Sequence, residues 1–124
     1  MFYGCTGLKS VGPTDSGASV EIPDSVKFFG ETAFGGCTGL ITVEIPNGLT
    51  TTYSGTFTNC TNLQSVKIGS GAASFWGDFE GCTNLTSITY VGTVEQWNAI
   101  EFGGNMWGNV PATEVVCSDG TVTL

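Results

Sequence analysis

Positions 57–68 read FTNCTNLQSVKI, and positions 79–90 read FEGCTNLTSITY. Alignment on the cysteines extends the phrase to four copies: FYGCTGLKSV (2–11), FGGCTGLITVEIP (34–46), FTNCTNLQSVKIG (57–69) and FEGCTNLTSITYVG (79–92). Phe2, Phe34, Phe57 and Phe79 keep step with Cys5, Cys37, Cys60 and Cys82, and these with Leu8, Leu40, Leu63 and Leu85. The later spacings, 23 and 22 residues, fall in the range of about 20–50 residues that marks solenoid repeats. A glycine- and threonine-rich composition alone does not hold four residue types at fixed offsets.

Each copy has a physical logic. In Leu40-x-x-Val43-x-Ile45 the last two apolar residues are two apart, so they share one side of a short strand while Thr42 and Glu44 point away. Pro46-Asn47-Gly48 then stops the strand and turns the chain. One such unit cannot bury its apolar face by itself, so the copies must stack, with strands in a parallel sheet and Phe, Cys and Leu in interior columns. The first interval is 32 residues. The surplus is assigned to a surface loop at 12–19, after which Val20-Glu21-Ile22-Pro23 resumes the phrase of Val43-Glu44-Ile45-Pro46. Such a loop serves as a plain connector or as a recognition loop.

After Tyr90 the period stops. Thr93-Val94-Glu95-Gln96 has the form of a capping box with Thr93 as N-cap. Val94, Trp97 and Ile100 fall on one helical face, and Gly103-Gly104 are expected to end the helix. A closing hairpin follows, with Glu114–Cys117, a turn at Asp119-Gly120, and residues 121–124. The chain therefore divides into repeats at 1–92, the first copy truncated, and a cap of one helix plus a β-hairpin at 93–124 that shields the edge of the last repeat.

At 124 residues the chain is one domain's worth. Only 11% of it is charged, and the net charge is −8 with three basic residues, which leaves no cationic footprint for nucleic acid. The acidity reads first as a means of keeping a sparsely charged surface soluble. No apolar window is long enough to span a membrane. The opening MFYGCTGLKS lacks a basic region followed by an apolar stretch, so it does not read as a signal peptide.

The five cysteines lie at least 22 residues apart and the chain has no histidine, so metal binding is not expected. Disulfides between adjacent columns are conceivable, but a column of small buried thiols is the simpler account. Cys117 has no evident partner. Without histidine, acid–base chemistry would need tuned carboxylates or lysines. Glu21, Glu44 and Lys67 are expected at successive outward strand positions, roughly 5 Å apart. That spacing suits a catalytic carboxylate pair, and it equally describes a solvated charge row, so no enzyme is expected.

The pattern F-x-x-C-T-x-L-x-x-V-x-I-P, with the intervening Asp24-Ser25-Val26 and Ala33-Phe34 segments, resembles the BspA-like leucine-rich repeat family of bacterial surface proteins. The ending TYVGTVEQWNAI…VPATEVVCSDGTVTL resembles the C-terminal cap of gut-bacterial members. The resemblance implies a leucine-rich repeat solenoid, β-rich with short parallel strands and without a cofactor. It also implies a secreted or cell-surface setting and an adhesive role toward host proteins or other bacteria.

Against that family's usual wording, close to T-S-I-G before the core Phe, this chain carries extra aromatics. Phe29 and Phe75 fit the one buried position there. Phe28, Tyr53 and Trp76 then form an aromatic stripe across three coils or pack into the grooves between them. The expected function is a protein- or glycan-binding module, with Phe28, Tyr53, Trp76, Glu21, Glu44 and Lys67 as candidate contacts. The alternatives are a structural terminal segment that binds nothing, and a scaffold diversified at these positions. With Phe2, Cys5, Leu8 and the strand near Val20–Ile22 at an uncapped end, a homodimer through the N-terminal coil is also expected.

Overall fold

The computed structural model describes residues 10–11, 19–20, 28–29, 34–52, 55–103 and 107–124, with side-chain surroundings for 34–51, 55–103 and 107–124. Along the chain run β1 (Ser10–Val11), β2 (Ser19–Val20), β3 (Phe28–Phe29), β4 (Thr42–Ile45), β5 (Thr51–Thr52) and β6 (Ser65–Ile68). There follow β7 (Ser74–Trp76), β8 (Ser87–Tyr90), α1 (Val94–Asn98), β9 (Glu101–Gly103), β10 (Glu114–Cys117) and β11 (Gly120–Thr123). They form two sheets, a first in the order β11-β10-β8-β6-β4-β1-β2 and a second in the order β3-β5-β7-β9. Strands pair in parallel throughout, apart from the antiparallel hairpin of β10 and β11. This is a β-solenoid: from β4 to β9 each turn gives one strand to each sheet.

Alternation along the first-sheet strands fills the interior. Val43, Val66, Ile88 and Val115 share one level, and Ile45, Ile68, Tyr90 and Cys117 the next, all buried. Phe34, Phe57 and Phe79 stack almost face to face, with centroids 5.3 and 5.4 Å apart and planes within 5° and 2°. In the Phe, Cys and Leu columns identical residues at identical levels leave no mismatch of volume from turn to turn, as a close-packed interior requires. The thiols form the expected column. Cys37, Cys60 and Cys82 are fully buried; Cys60 Sγ donates to the carbonyl of Phe34, and Cys82 Sγ to that of Phe57, each at 3.2 Å.

Polar links tie the turns together outside the core. Asn62 Nδ2 donates to the carbonyl of Thr38 at 2.7 Å, and Asn84 Nδ2 to that of Thr61 at 2.8 Å, which is why Cys-Thr-Asn-Leu is the later form of the phrase. Two residues after each stacking aromatic the backbone turns left-handed, at Gly36 (φ 68), Asn59 (φ 58), Gly81 (φ 82) and Asn109 (φ 67). Gly and Asn are the residue types that adopt this region at least cost.

The last of these positions shows that the solenoid does not stop at the helix. Trp107 stacks on Phe79 at 5.5 Å and 5°, and the N–H of Gly81 reaches the carbonyl of Gly108 just as that of Asn59 reaches Glu80. Trp107-Gly108-Asn109-Val110 thus stands where Phe-x-(Gly/Asn)-Cys stands in the other turns. With β9 in the second sheet and β10 beside β8 in the first, residues 101–117 make a further turn, with α1 inserted ahead of it. The boundary at residue 93 marks that insertion. The capping box forms as expected: Thr93 Oγ1 accepts from the N–H of Gln96 at 3.1 Å, and Gln96 Oε1 from the N–H of Thr93 at 2.9 Å. Trp97 and Ile100 are buried and Val94 half-buried. The helix ends at Asn98, however, and Gly103 belongs to β9.

At the other end, the strand beside β4 is β1, with Ser10 level with Thr42 and Val11 with Val43; Ser19 and Val20 pair on the far side of β1. Ser19 is therefore strand and not loop, and Val20 does not resume the phrase next to Val43. Both segments read Ser-Val, so local sequence does not choose between them. The connector at 12–18 lies outside the described residues, as do Phe2, Cys5 and Leu8.

Candidate functional site

Each sheet turns one set of side chains away from the interior, and the candidate contacts fall on both. On the first sheet, register places Thr42, Ser65 and Ser87 in one outward row and Glu44, Lys67 and Thr89 in the next, which Val116 continues. The residues of the two rows on β4, β6 and β8 line a shallow groove of about 310 Å³. Parallel pairing spaces the members of each row about 4.8 Å apart from strand to strand. Glu44 thus has a lysine as its register neighbour. Glu21 lies outside the described residues, and because β1 separates β2 from β4, the strand it follows is not adjacent to that of Glu44. Glu44 and Lys67 stand at successive outward positions with Thr89 next, and the place of Glu21 in that row lies outside the described residues. Alternation holds along each strand, but the order of strands is a tertiary choice.

On the second sheet Phe28, Thr51, Ser74 and Glu101 share one level, while Trp76 is level with Gly103, two residues further along. Phe28 and Trp76 therefore do not stand in one row. Tyr53 and the side chain of Phe28 lie outside the described residues. Phe75 takes the inward position and is fully buried, whereas Trp76 is 48% exposed.

Two further residues shape this region. Asp78 is 1% exposed; its Oδ1 accepts from the N–H of Thr56 at 3.1 Å and its Oδ2 from that of Trp76 at 3.2 Å. A buried carboxylate held by backbone N–H groups ties one turn to the next beneath the tryptophan. The repeat shortens from 23 to 22 residues just ahead of it, between Ser74 and Gly77, and that change of spacing is the sequence signal nearest to it. Gly103 is the other. A β-carbon on it would run into Trp76 Cε3 and Cζ3, so the indole lies over the position that a side chain would fill. Nothing local to Gly103 announces this.

The interior offers little reactivity. Its hydrogen bond with Cys82, then burial and the negative charge Cys82 would carry, push the Cys60 thiol well above the ordinary thiol range. Burial, with Asp119 nearby, raises Cys117. Such thiols stay protonated and unreactive at neutral pH. Among the described residues no group of three or more metal-ligating side chains converges, and no helix is long and apolar enough to cross a membrane.

The family model described as "BspA type Leucine rich repeat region (6 copies)" matches residues 14–110, so the match runs through Trp107–Val110 and beyond the helix. Neither a curated protein nor a solved structure matches this chain. Proteins of the matched family are repeat-based interaction or adhesion scaffolds, typically without catalytic activity and associated with surface or secreted proteins. With its stacked parallel turns and a family match over most of its length, the chain belongs to the BspA-type leucine-rich repeat family.

Proposed function

We propose that this protein is a non-enzymatic adhesion module of a bacterial surface or secreted protein, and that it binds a protein or glycan ligand. The observation that carries the reading is the groove over β4, β6 and β8, in which hydroxyls and one pair of opposite charges are held at regular spacing on a rigid sheet. Rows of donors and acceptors that cost no ordering on binding are what an extended polar ligand needs. Glu44 and Lys67 are its charged contacts, and the exposed Trp76 supports a second contact region. Phe28, Tyr53 and Glu21 remain proposed contacts of the same module.

The test is a glycan array and a panel of immobilised host-surface proteins, probed with the native chain and with Glu44→Ala/Lys67→Ala. Loss of a ligand in the double variant at unchanged Tm supports the groove. A ligand retained by that variant removes the groove from the reading, and a chain that captures nothing on either array favours the structural terminal segment. The homodimer through the N-terminal coil is likewise a proposal, supported by β2 as the outermost described strand of its sheet. Light scattering at increasing concentration tests it: a constant monomer mass is the contrary result.

A further inference from the structure

The second sheet places a large exposed aromatic and a carboxylate side by side. Phe75 and Phe102 take inward positions and pack edge to face at 6.2 Å. Ser74 and Trp76 in β7, and Glu101 and Gly103 in β9, therefore share the outward side. Trp76 is 48% exposed, yet its ring is not loosely placed. The indole occupies the space above Gly103. Its backbone N–H donates to Asp78 Oδ2 at 3.2 Å, and its carbonyl accepts from the N–H of Gly55 at 3.1 Å. Glu101 is exposed and level with Ser74. That puts it diagonally across from Trp76, about 7–8 Å away along the sheet, within reach of aromatic and long side chains.

Among the described residues the charge around this pair is one-sided. Among the described residues Lys67 is the one basic side chain, and it lies on the first sheet. The whole chain carries −8. An apolar ligand seated on the indole would strip water from the Glu101 carboxylate without repaying it. An acidic ligand would be repelled. A flat cation satisfies both groups, because a guanidinium stacks on an indole face and its N–H fork fits a carboxylate. We infer that Trp76 and Glu101 form a subsite for an arginine side chain of a protein partner, presented on an exposed basic segment. This site is on a different sheet from the groove proposed above, and it stands or falls independently of it.

The probe is a capped Arg-Gly repeat peptide, with its citrulline analogue and the neutral sugar maltohexaose as comparators. Each is titrated into the native chain at low salt, and the Trp76 indole N–H and Glu101 amide resonances are followed by NMR. The expected result is saturable shifts of both resonances with the arginine peptide, weakening as salt rises, and none with citrulline. W76A and E101Q should each lower the affinity about three- to tenfold. G103A, which displaces the ring, should also weaken binding, while E114Q on the first sheet and E44A/K67A should not. Equal binding of the citrulline peptide, an affinity unchanged by E101Q, or an equal loss in E114Q would overturn the assignment. So would the absence of any shift with the arginine peptide, or a shift with maltohexaose in its place, which would make Trp76 a sugar platform.

Discussion

The turns that carry Phe34, Phe57 and Phe79 and the terminal turn that carries Trp107 meet the same packing requirement with different residues. In the regular turns the Phe, Cys and Leu positions meet their own kind in the neighbouring regular turn, which gives the Phe stack, the thiol column and the Leu column. In the terminal turn Trp107 replaces Phe, Val110 replaces Cys, and Asn109 keeps the left-handed backbone. The inserted helix brings Trp97 against Tyr90 at 5.4 Å and against Phe102 at 4.9 Å, so a mixed aromatic cluster closes the stack. The columns therefore select side-chain volume and backbone conformation, and residue identity only where both neighbours are themselves repeats. In a solenoid each turn is stabilised by its nearest neighbours, and the terminal turn has one where an inner turn has two.

The largest effect should come from breaking an inner column. Phe57→Ala removes a fully buried ring from between two others and should cost about 3–5 kcal/mol in urea unfolding. Trp107→Ala removes a half-buried ring that stacks on Phe79 and meets Trp97 and Phe102 on its other sides; with part of that ring in solvent, the loss should be roughly half as large. Equal losses would mean that the terminal turn is as integral as the inner ones, and the contrast would fail.

Alkaline pH acts on both regions together. Burial raises Tyr90, in a regular turn, above the ordinary value of 10.0, and burial with Asp119 nearby raises Cys117, in the terminal turn, above 9.0. Below about 9 folded and unfolded chains both hold these protons, so the stability is fully present. As pH climbs past 9 the unfolded chain ionises first, and stability falls by about 1.4 kcal/mol per pH unit for each such group. Denaturation midpoints between pH 7 and 11 check this, and a flat profile would remove the protonated interior.

Smaller effects probe the backbone rule. Asn59→Ala places an ordinary residue at φ 58 and should cost about 1 kcal/mol, whereas Asn59→Gly should be near neutral. Asn109→Ala should behave alike, since the same conformation recurs in the terminal turn. The smallest loss among the alanine variants is expected from Asn84→Ala, which deletes one exposed link to the Thr61 carbonyl and should lower stability by about 0.5 kcal/mol. A thermal scan that separates the alanine and glycine variants at position 59 would sharpen the comparison most cheaply.

By itself the sequence determined the period, the inward alternation of Val43/Ile45 and Val66/Ile68, the Phe, Cys and Leu columns, the capping box at Thr93 and the closing hairpin. These depend on neighbours within a few residues or on identical spacing in successive turns, and both can be read along a line. Tertiary structure alone decided which of two Ser-Val dipeptides lies beside β4, because each carries the same local preference. It also decided that Trp107 is the successor of Phe79, since the helix insertion breaks the spacing that would have revealed it. The meeting of Trp76 with Gly103 and Glu101 belongs to the same class. Those residues sit in different turns, and a side chain's neighbours across a sheet are set by strand order and register, which emerge only when the turns stack.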